Sequence, residues 1–180
     1  MTAPAREVRI VVSPPGFSDW TGLLALLRSA YAYMESRIDP PSSLLRMGAA
    51  QLQEKAREEA LILALEDRRL VGCAFAGLRE DCVYVGKLAV DAAARRRGVA
   101  RRIMQAAEAL ARAHGRRFVE LEARIELTEN HETFAALGFS KVAESAHAGF
   151  DRPTSITMRK PVPANRWQGW SLTELNGSVI

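Results

Sequence analysis

Five arginines sit within one short stretch: Arg95, Arg96 and Arg97, then Arg101 and Arg102, with Gly98 between the two groups. Residues 98 to 114 have helical period, since Val99, Ile103, Ala106, Ala107, Leu110 and Ala111 fall on one face. The arginines therefore crowd a helix N-terminus, which already carries partial positive charge and unpaired backbone N–H groups. Ser, Thr, Asp or Asn usually caps such an end, and none occurs between 92 and 100. Each exposed cation there is opposed by the helix dipole by roughly 0.3–1 kcal/mol. The arrangement makes physical sense if an anion comes to the site. Gly98 lets it approach the backbone, and free N–H groups and guanidinium groups together bind it. These features point to a phosphate-bearing ligand, with a solvated basic turn as the plainer alternative.

The basic turn must be held by its neighbours. Residues 84 to 90 are rich in strand formers, so the turn joins a strand to a helix. Glu108 and Arg112 form an i,i+4 pair in the favourable order, and Gly115 suits a C-cap. Upstream, Val8–Val12 reads as a strand ended by Pro14, Pro15 and Gly16. Ser18 or Asp19 can cap a helix whose apolar face includes Leu23, Leu24, Leu27, Tyr31 and Met34. Pro40 and Pro41 break that helix and stiffen the loop after it. A second helix is expected over 48 to 59, and two strands over 60 to 65 and 70 to 78, joined as a hairpin at 66 to 69. A further turn at Asp81 leads into the central strand at Cys82.

Downstream, residues 118 to 123 alternate Val119 and Leu121 with Glu120 and Glu122, as a strand does. Thr128 or Asn130 can cap a short helix that ends before Gly138. Two last strands are expected over 141 to 144 and 155 to 158. Residues 1 to 160 then form one domain, and 161 to 180 an irregular tail. Trp167 and Trp170 in that tail pack on the domain or on a second subunit of a homodimer, or belong to a remnant without function.

The spacing Arg95-x-x-Gly98-x-Ala100 resembles the pyrophosphate-binding motif, Arg/Gln-x-x-Gly-x-Gly/Ala, of the GCN5-related N-acetyltransferase (GNAT) family. The strand Lys87-Leu88-Ala89-Val90 resembles that family's bulged central strand. The segment 127 to 139, LTENHETFAALGF, resembles its later helix ending in Leu-Gly-Phe. The resemblance covers residues 84 to 139 and implies an α+β fold: a mixed, split β-sheet of about seven strands with about four helices. It implies acetyl-CoA as the donor, held in the split, and direct attack on the thioester by an amine acceptor, a small molecule or a peptide. A non-catalytic acyl-CoA-binding or regulatory module is the alternative.

By that resemblance the cofactor residues are Leu88, Ala89, Val90, Arg95, Arg96, Arg97, Gly98, Val99, Ala100, Arg101, Asn130 and Phe134. Asn130 is equally well read as a helix cap. Many members place a tyrosine general acid where this chain has Phe134, and phenylalanine cannot donate a proton. Acyl transfer needs a neutral amine, although a free alkylamine has a pKa near 10. Tyr84, Glu122 and Glu35 are the leading candidates for catalysis, and Glu120, His131 and His147 are chemically able. The acceptor pocket is expected from two loops. One holds Tyr33, Glu35, Arg37 and Asp39, and the other His147, Asp151, Arg152 and Thr154. Loop solubility is the competing explanation.

Composition excludes other classes. The chain has 180 residues, 48% hydrophobic and 26% charged, with net charge +4. This suits one soluble globular domain. No apolar run is long enough to span a membrane, and the first ten residues lack the apolar core of a signal peptide, so a cytoplasmic protein is expected. Three histidines make no metal spacing, and serine or cysteine nucleophile motifs are absent. Rossmann and P-loop glycine patterns are missing. No aromatics interleave with the arginines, which argues against nucleic acid. Cys73 and Cys82 are expected as buried thiols on adjacent strands, with a disulfide as the alternative.

Overall fold

A computed structural model describes residues 7–163. The expectations for Trp167 and Trp170 lie outside the described residues. Seven strands form one sheet: β1 (Val8–Val12), β2 (Ala60–Glu66), β3 (Arg69–Leu78), β4 (Cys82–Val90), β5 (Phe118–Arg124), β6 (Ser140–Ser145) and β7 (Ser155–Pro161). Four α-helices accompany them: α1 (Trp20–Tyr31), α2 (Ala49–Glu58), α3 (Val99–Ala113) and α4 (Thr128–Ala136). The sheet order is β1-β2-β3-β4-β5-β7-β6, and every neighbouring pair is antiparallel except β4 with β5. The fold is of the α+β type.

The parallel pair is short. β4 meets β5 only from Cys82↔Phe118 to Tyr84↔Glu120. Beyond Tyr84 the two strands part, which leaves β4 with a bare edge. On the other side β4 pairs with β3 almost to its end, with a register shift at the bulge around Lys87. Lys87 has φ 53, a left-handed conformation that non-glycine residues seldom adopt.

The bulge also sorts the side chains. Tyr84 and Ala89 face the layer of α1 and α2, while Val83, Val85, Leu88 and Val90 belong to the core under α3. The two cores are of comparable character. One packs Leu23, Leu27, Leu52 and Phe75; the other packs Val99, Ile103, Met104, Val119 and Leu121. Helix α3 can lie close to β3 because Gly72 has no Cβ. One built there would come within 3.0 Å of Val99 and 3.1 Å of Ile103.

Local signals set several boundaries as expected. Asp19 caps α1 by accepting from Gly22 N–H at 2.9 Å. Asp67 and Arg68 both have positive φ, as a tight hairpin turn requires. Helix α3 ends at Gly115 in a Schellman arrangement: Arg116 N–H donates to Ala111 C=O and Gly115 N–H to Arg112 C=O. Helix α4 differs from expectation. It starts one residue earlier, with Leu127 at the N-cap and no side-chain cap. Thr128 and Asn130 both lie inside its first turn, so neither is the cap. Cys73 and Cys82 are both buried and free. Cys73 opposes Ala89 in the β3–β4 register, far along the ladder from Cys82, so the disulfide alternative falls.

Candidate functional site

A cleft of about 1090 Å³ opens where β4 and β5 part. Leu88, Ala89, Val90, Arg95, Ala100, Asn130 and Phe134, named from the sequence as cofactor candidates, line it. The bare edge of β4 offers backbone groups to an extended ligand, in the way an added strand would use them. At one end stands the N-terminus of α3. Its first intrahelical bond runs from Arg102 N–H to Gly98 C=O at 3.1 Å, so the N–H groups of the turn before it are outside the helical ladder. Gly98 is the N-cap, with φ 77 and ψ 9. A Cβ there would meet nothing within 4 Å, so the space over the helix end is open to a ligand.

The five arginines do not act alike. The guanidinium of Arg95 reaches back to Val90 C=O at 3.4 Å and lines the cleft. Arg96 (φ 62) and Arg101 are exposed near the turn. Arg97 instead pairs with the buried Glu66 at the end of β2. Arg102 donates to Val8 C=O on β1. Val99 turns its side chain into the core and can offer only backbone to the cleft.

Strand β5 turns Glu120, Glu122 and Arg124 toward the α1–α2 side. Glu120 is buried and receives Arg79 at 2.7 Å and Arg159 at 2.6 Å. Arg159 also donates to Asp81 at 2.8 Å, and this holds the Asp81 carboxyl below its usual range. Glu120 is thus structural, closing the sheet just before it splits. His131 is engaged as well, its Nε2 lying 2.9 Å from Arg124 C=O. Glu122 is exposed, lines the cleft and has no hydrogen-bond or ion-pair partner among the described residues.

Tyr84 lines the cleft beside it, its ring under the Arg79 guanidinium at 3.8 Å. Burial first, then the Glu122 charge, pushes its hydroxyl up to about 12. A hydroxyl so placed stays protonated near neutral pH, so it can donate a proton and is a poor base. Glu35 is exposed and does not line the cleft.

The acceptor-loop candidates are held partly by one another and partly by residues on and just before α4. Arg37 grips Glu129 on α4 through two hydrogen bonds, 2.5 and 3.0 Å. Asp39 receives Arg152 at 2.9 Å, and its N–H donates to Glu126 at 3.2 Å. Tyr33 and Asn130 share a hydrogen bond, 3.0 to 3.2 Å. These contacts strap the segment after α1 across the mouth of the split. Arg37, Asp39 and Asp151 do not line the cleft, whereas His147 does, pinned by Thr154 Oγ1 at 2.5 Å from Nδ1. Sequence reasoning missed Tyr31, Ser43, Arg46, Lys55 and Lys87 as lining residues. Of these only Lys87 had a signal, its place in the bulged strand.

A family model described as the acetyltransferase (GNAT) family matches residues 20–139. The chain belongs to the GNAT family. It is therefore an N-acetyltransferase that uses an acyl-CoA donor, and the rival of a non-catalytic module is not favoured. Solved structures share the fold at low identity. PaiA N-acetyltransferase from Thermoplasma acidophilum, in complex with coenzyme A, is 12% identical with a TM-score of 0.70, over 86% of this chain and 99% of that one. The ribosomal-protein-S18-alanine N-acetyltransferase from Escherichia coli is 15% identical with a TM-score of 0.62, over 90% and 100%. Nourseothricin acetyltransferase is 20% identical with a TM-score of 0.54, over 59% and 66%. Comparison with curated proteins finds no match. No helix among the described residues is long and apolar enough to cross a membrane.

Proposed function

We propose that this GNAT domain moves an acetyl group from acetyl-CoA to an amine, by direct attack within a ternary complex. One observation carries the reading: the cleft joins a free β4 edge and an open helix N-terminus on one side to an unpartnered carboxylate, Glu122, on the other. Acetyl-CoA supplies an activated thioester. Arg95, the Gly98 turn and the backbone of residues 96 to 101 hold its pyrophosphate. The edge of Leu88, Ala89 and Val90 aligns its arm, and Phe134, packed edge-on to Phe139, borders the same space. An amine nitrogen bonds to the acetyl carbon as the carbon–sulfur bond breaks. Glu122 takes the amine proton, directly or through water, and Tyr84 is placed to return a proton to the sulfur.

Resemblance supports the acceptor being an amine, since all three neighbours named above are acetyltransferases and one acts on a protein alanine. The decisive measurement is thiol release from acetyl-CoA in the presence of single amines and peptides. Turnover with at least one amine is expected, together with a raised melting temperature in acetyl-CoA alone. A ligand at 100 times its dissociation constant adds about 2.7 kcal/mol. No shift with millimolar acetyl-CoA would refute the donor assignment.

A further inference from the structure

The acceptor side of the cleft is electrically lopsided. Arg46, Lys55 and Lys87 line it together with Ser43. Lys55 is paired: its ammonium contacts Glu59 at 2.5 Å. Among the described residues Lys87 has no carboxylate hydrogen-bond or ion-pair partner, and its ammonium donates to Ser43 Oγ at 3.0 Å. Arg46 is exposed and has no hydrogen-bond or ion-pair partner among the described residues. Glu59 also faces this group; its Oε1 contacts Lys55, and its buried Oε2 has no hydrogen-bond partner among the described residues.

The cost of the arrangement shows on Lys87. Burial first, then the Lys55 charge, holds its ammonium below the ordinary lysine range, and Glu59 only partly opposes this. Its backbone is also held at φ 53, a conformation sustained only where the surroundings impose it. These three cations line the same cleft as Arg95 but come from other elements than the Gly98 turn. They belong to β4, α2 and the 3-10 turn Ser43–Arg46, on the α1–α2 layer, while Gly98 opens under α3. The pyrophosphate is assigned above to Arg95 and the Gly98 turn, which leaves these three cations without a ligand.

We propose that the acceptor is a small amine that also carries an anionic group, a carboxylate or a phosphate, held by Lys87, Arg46 and Ser43 while its amine faces Glu122. This rests on the acetyl-transfer reading above and names the substrate class of that site. An anion would neutralise the unpaired charge on Lys87 and accept from two kinds of donor at once, the compact ammonium and the forked guanidinium.

The test uses the full chain and two readouts. The first is thiol release with amino acids, each beside its uncharged carboxamide, and with phosphoethanolamine beside ethanolamine. A preference of about tenfold or more in kcat/KM for the acid-bearing member is expected. Which pair shows it distinguishes carboxylate from phosphate. Lys87→Met and Arg46→Gln should each shrink that ratio by about tenfold, mainly through KM, the size expected for a lost charge-assisted contact. Arg46 is exposed, so its variant guards against a folding defect in the other.

The second readout is equilibrium binding of the same compounds to the protein saturated with CoA, which needs no turnover. Acid-bearing compounds that bind in the parent and are lost in the variants, without any turnover, would uphold the anion site and sink the transfer reading. Turnover of amines with no preference for the acid-bearing member, or a preference untouched in both variants, would overturn the anion site and leave the transfer reading standing. Neither turnover nor binding would overturn both.

Discussion

Arg37 and Glu129 clasp each other across the open end of the split sheet, the guanidinium of one meeting both carboxylate oxygens of the other. Arg37 follows α1, on the β1–β4 half, and Glu129 begins α4, on the β5–β7 half. The pair thus ties together two halves that the sheet itself joins only at three residue pairs. Removing it with Arg37→Ala should loosen the strap and raise the KM for acceptor severalfold, leaving acetyl-CoA affinity close to that of the parent. The swapped pair Arg37→Glu with Glu129→Arg should recover part of the loss. Unchanged acceptor kinetics in Arg37→Ala would show that the strap is ornamental to catalysis.

The same pair gives a pH dependence. The Arg37 hydrogen bonds hold the Glu129 carboxyl below its usual range, and Arg159 does the same for Asp81. Groups depressed by folding stabilise above their unfolded values, about 4.3 for Glu and 3.9 for Asp, and that stability is lost as pH falls through the folded values. The melting temperature should therefore drop on acidification below about pH 4.5. Glu129→Gln should flatten the drop. Both carboxylates are partly open to water, so each share is small.

For the catalytic pair, Glu122→Gln should lower kcat by roughly 10²- to 10⁴-fold, while acetyl-CoA still binds. Tyr84→Phe should also lower kcat, because it removes a hydroxyl that, pushed up to about 12, stays protonated and able to donate near neutral pH. A Glu122→Gln variant with parental kcat would remove Glu122 from the mechanism.

The arginines should separate by role. Arg95→Ala and Gly98→Val should weaken acetyl-CoA roughly ten- to hundredfold, as lost phosphate contacts do. Valine at 98 would also be strained by φ 77. Arg97→Ala should show mainly as a lower melting temperature, since Glu66 is buried and loses its guanidinium partner. Calorimetry beside acetyl-CoA titration would distinguish these. Equal loss of cofactor affinity in Arg95→Ala and Arg97→Ala would contradict the division.

Phe134 packs edge-on to Phe139 with ring centroids 6.2 Å apart and borders the cleft. Phe134→Leu should keep kcat within about tenfold and cost about 1 kcal/mol of stability, as similar-volume apolar swaps do. Phe134→Tyr should raise kcat only if Tyr84 does not already serve as the donor. A collapse of kcat in Phe134→Leu, with folding intact, would show that the ring does more than pack.

Short-range chemistry makes much of this protein legible in its sequence. The hairpin at 66 to 69, the start of α1 at Asp19 and the end of α3 at Gly115 are each decided within one or two turns of chain, by a cap, a turn or a left-handed residue. The basic turn before α3 is equally local, because a helix N-terminus and its own arginines suffice to define it. Tertiary structure alone decided which of those arginines line the cleft. Arg97 and Arg102 find partners on β2 and β1, residues distant in sequence that only sheet pairing brings near. It likewise turned Arg37 and Asp39 from ligand contacts into ties between the two halves. Above all it assembled the side of the cleft proposed for the acceptor, where Ser43, Lys55, Lys87 and Glu122 come from four separate elements. No spacing rule links those four. Their meeting depends on where β4 leaves β5, and that point is set by the packing of both cores.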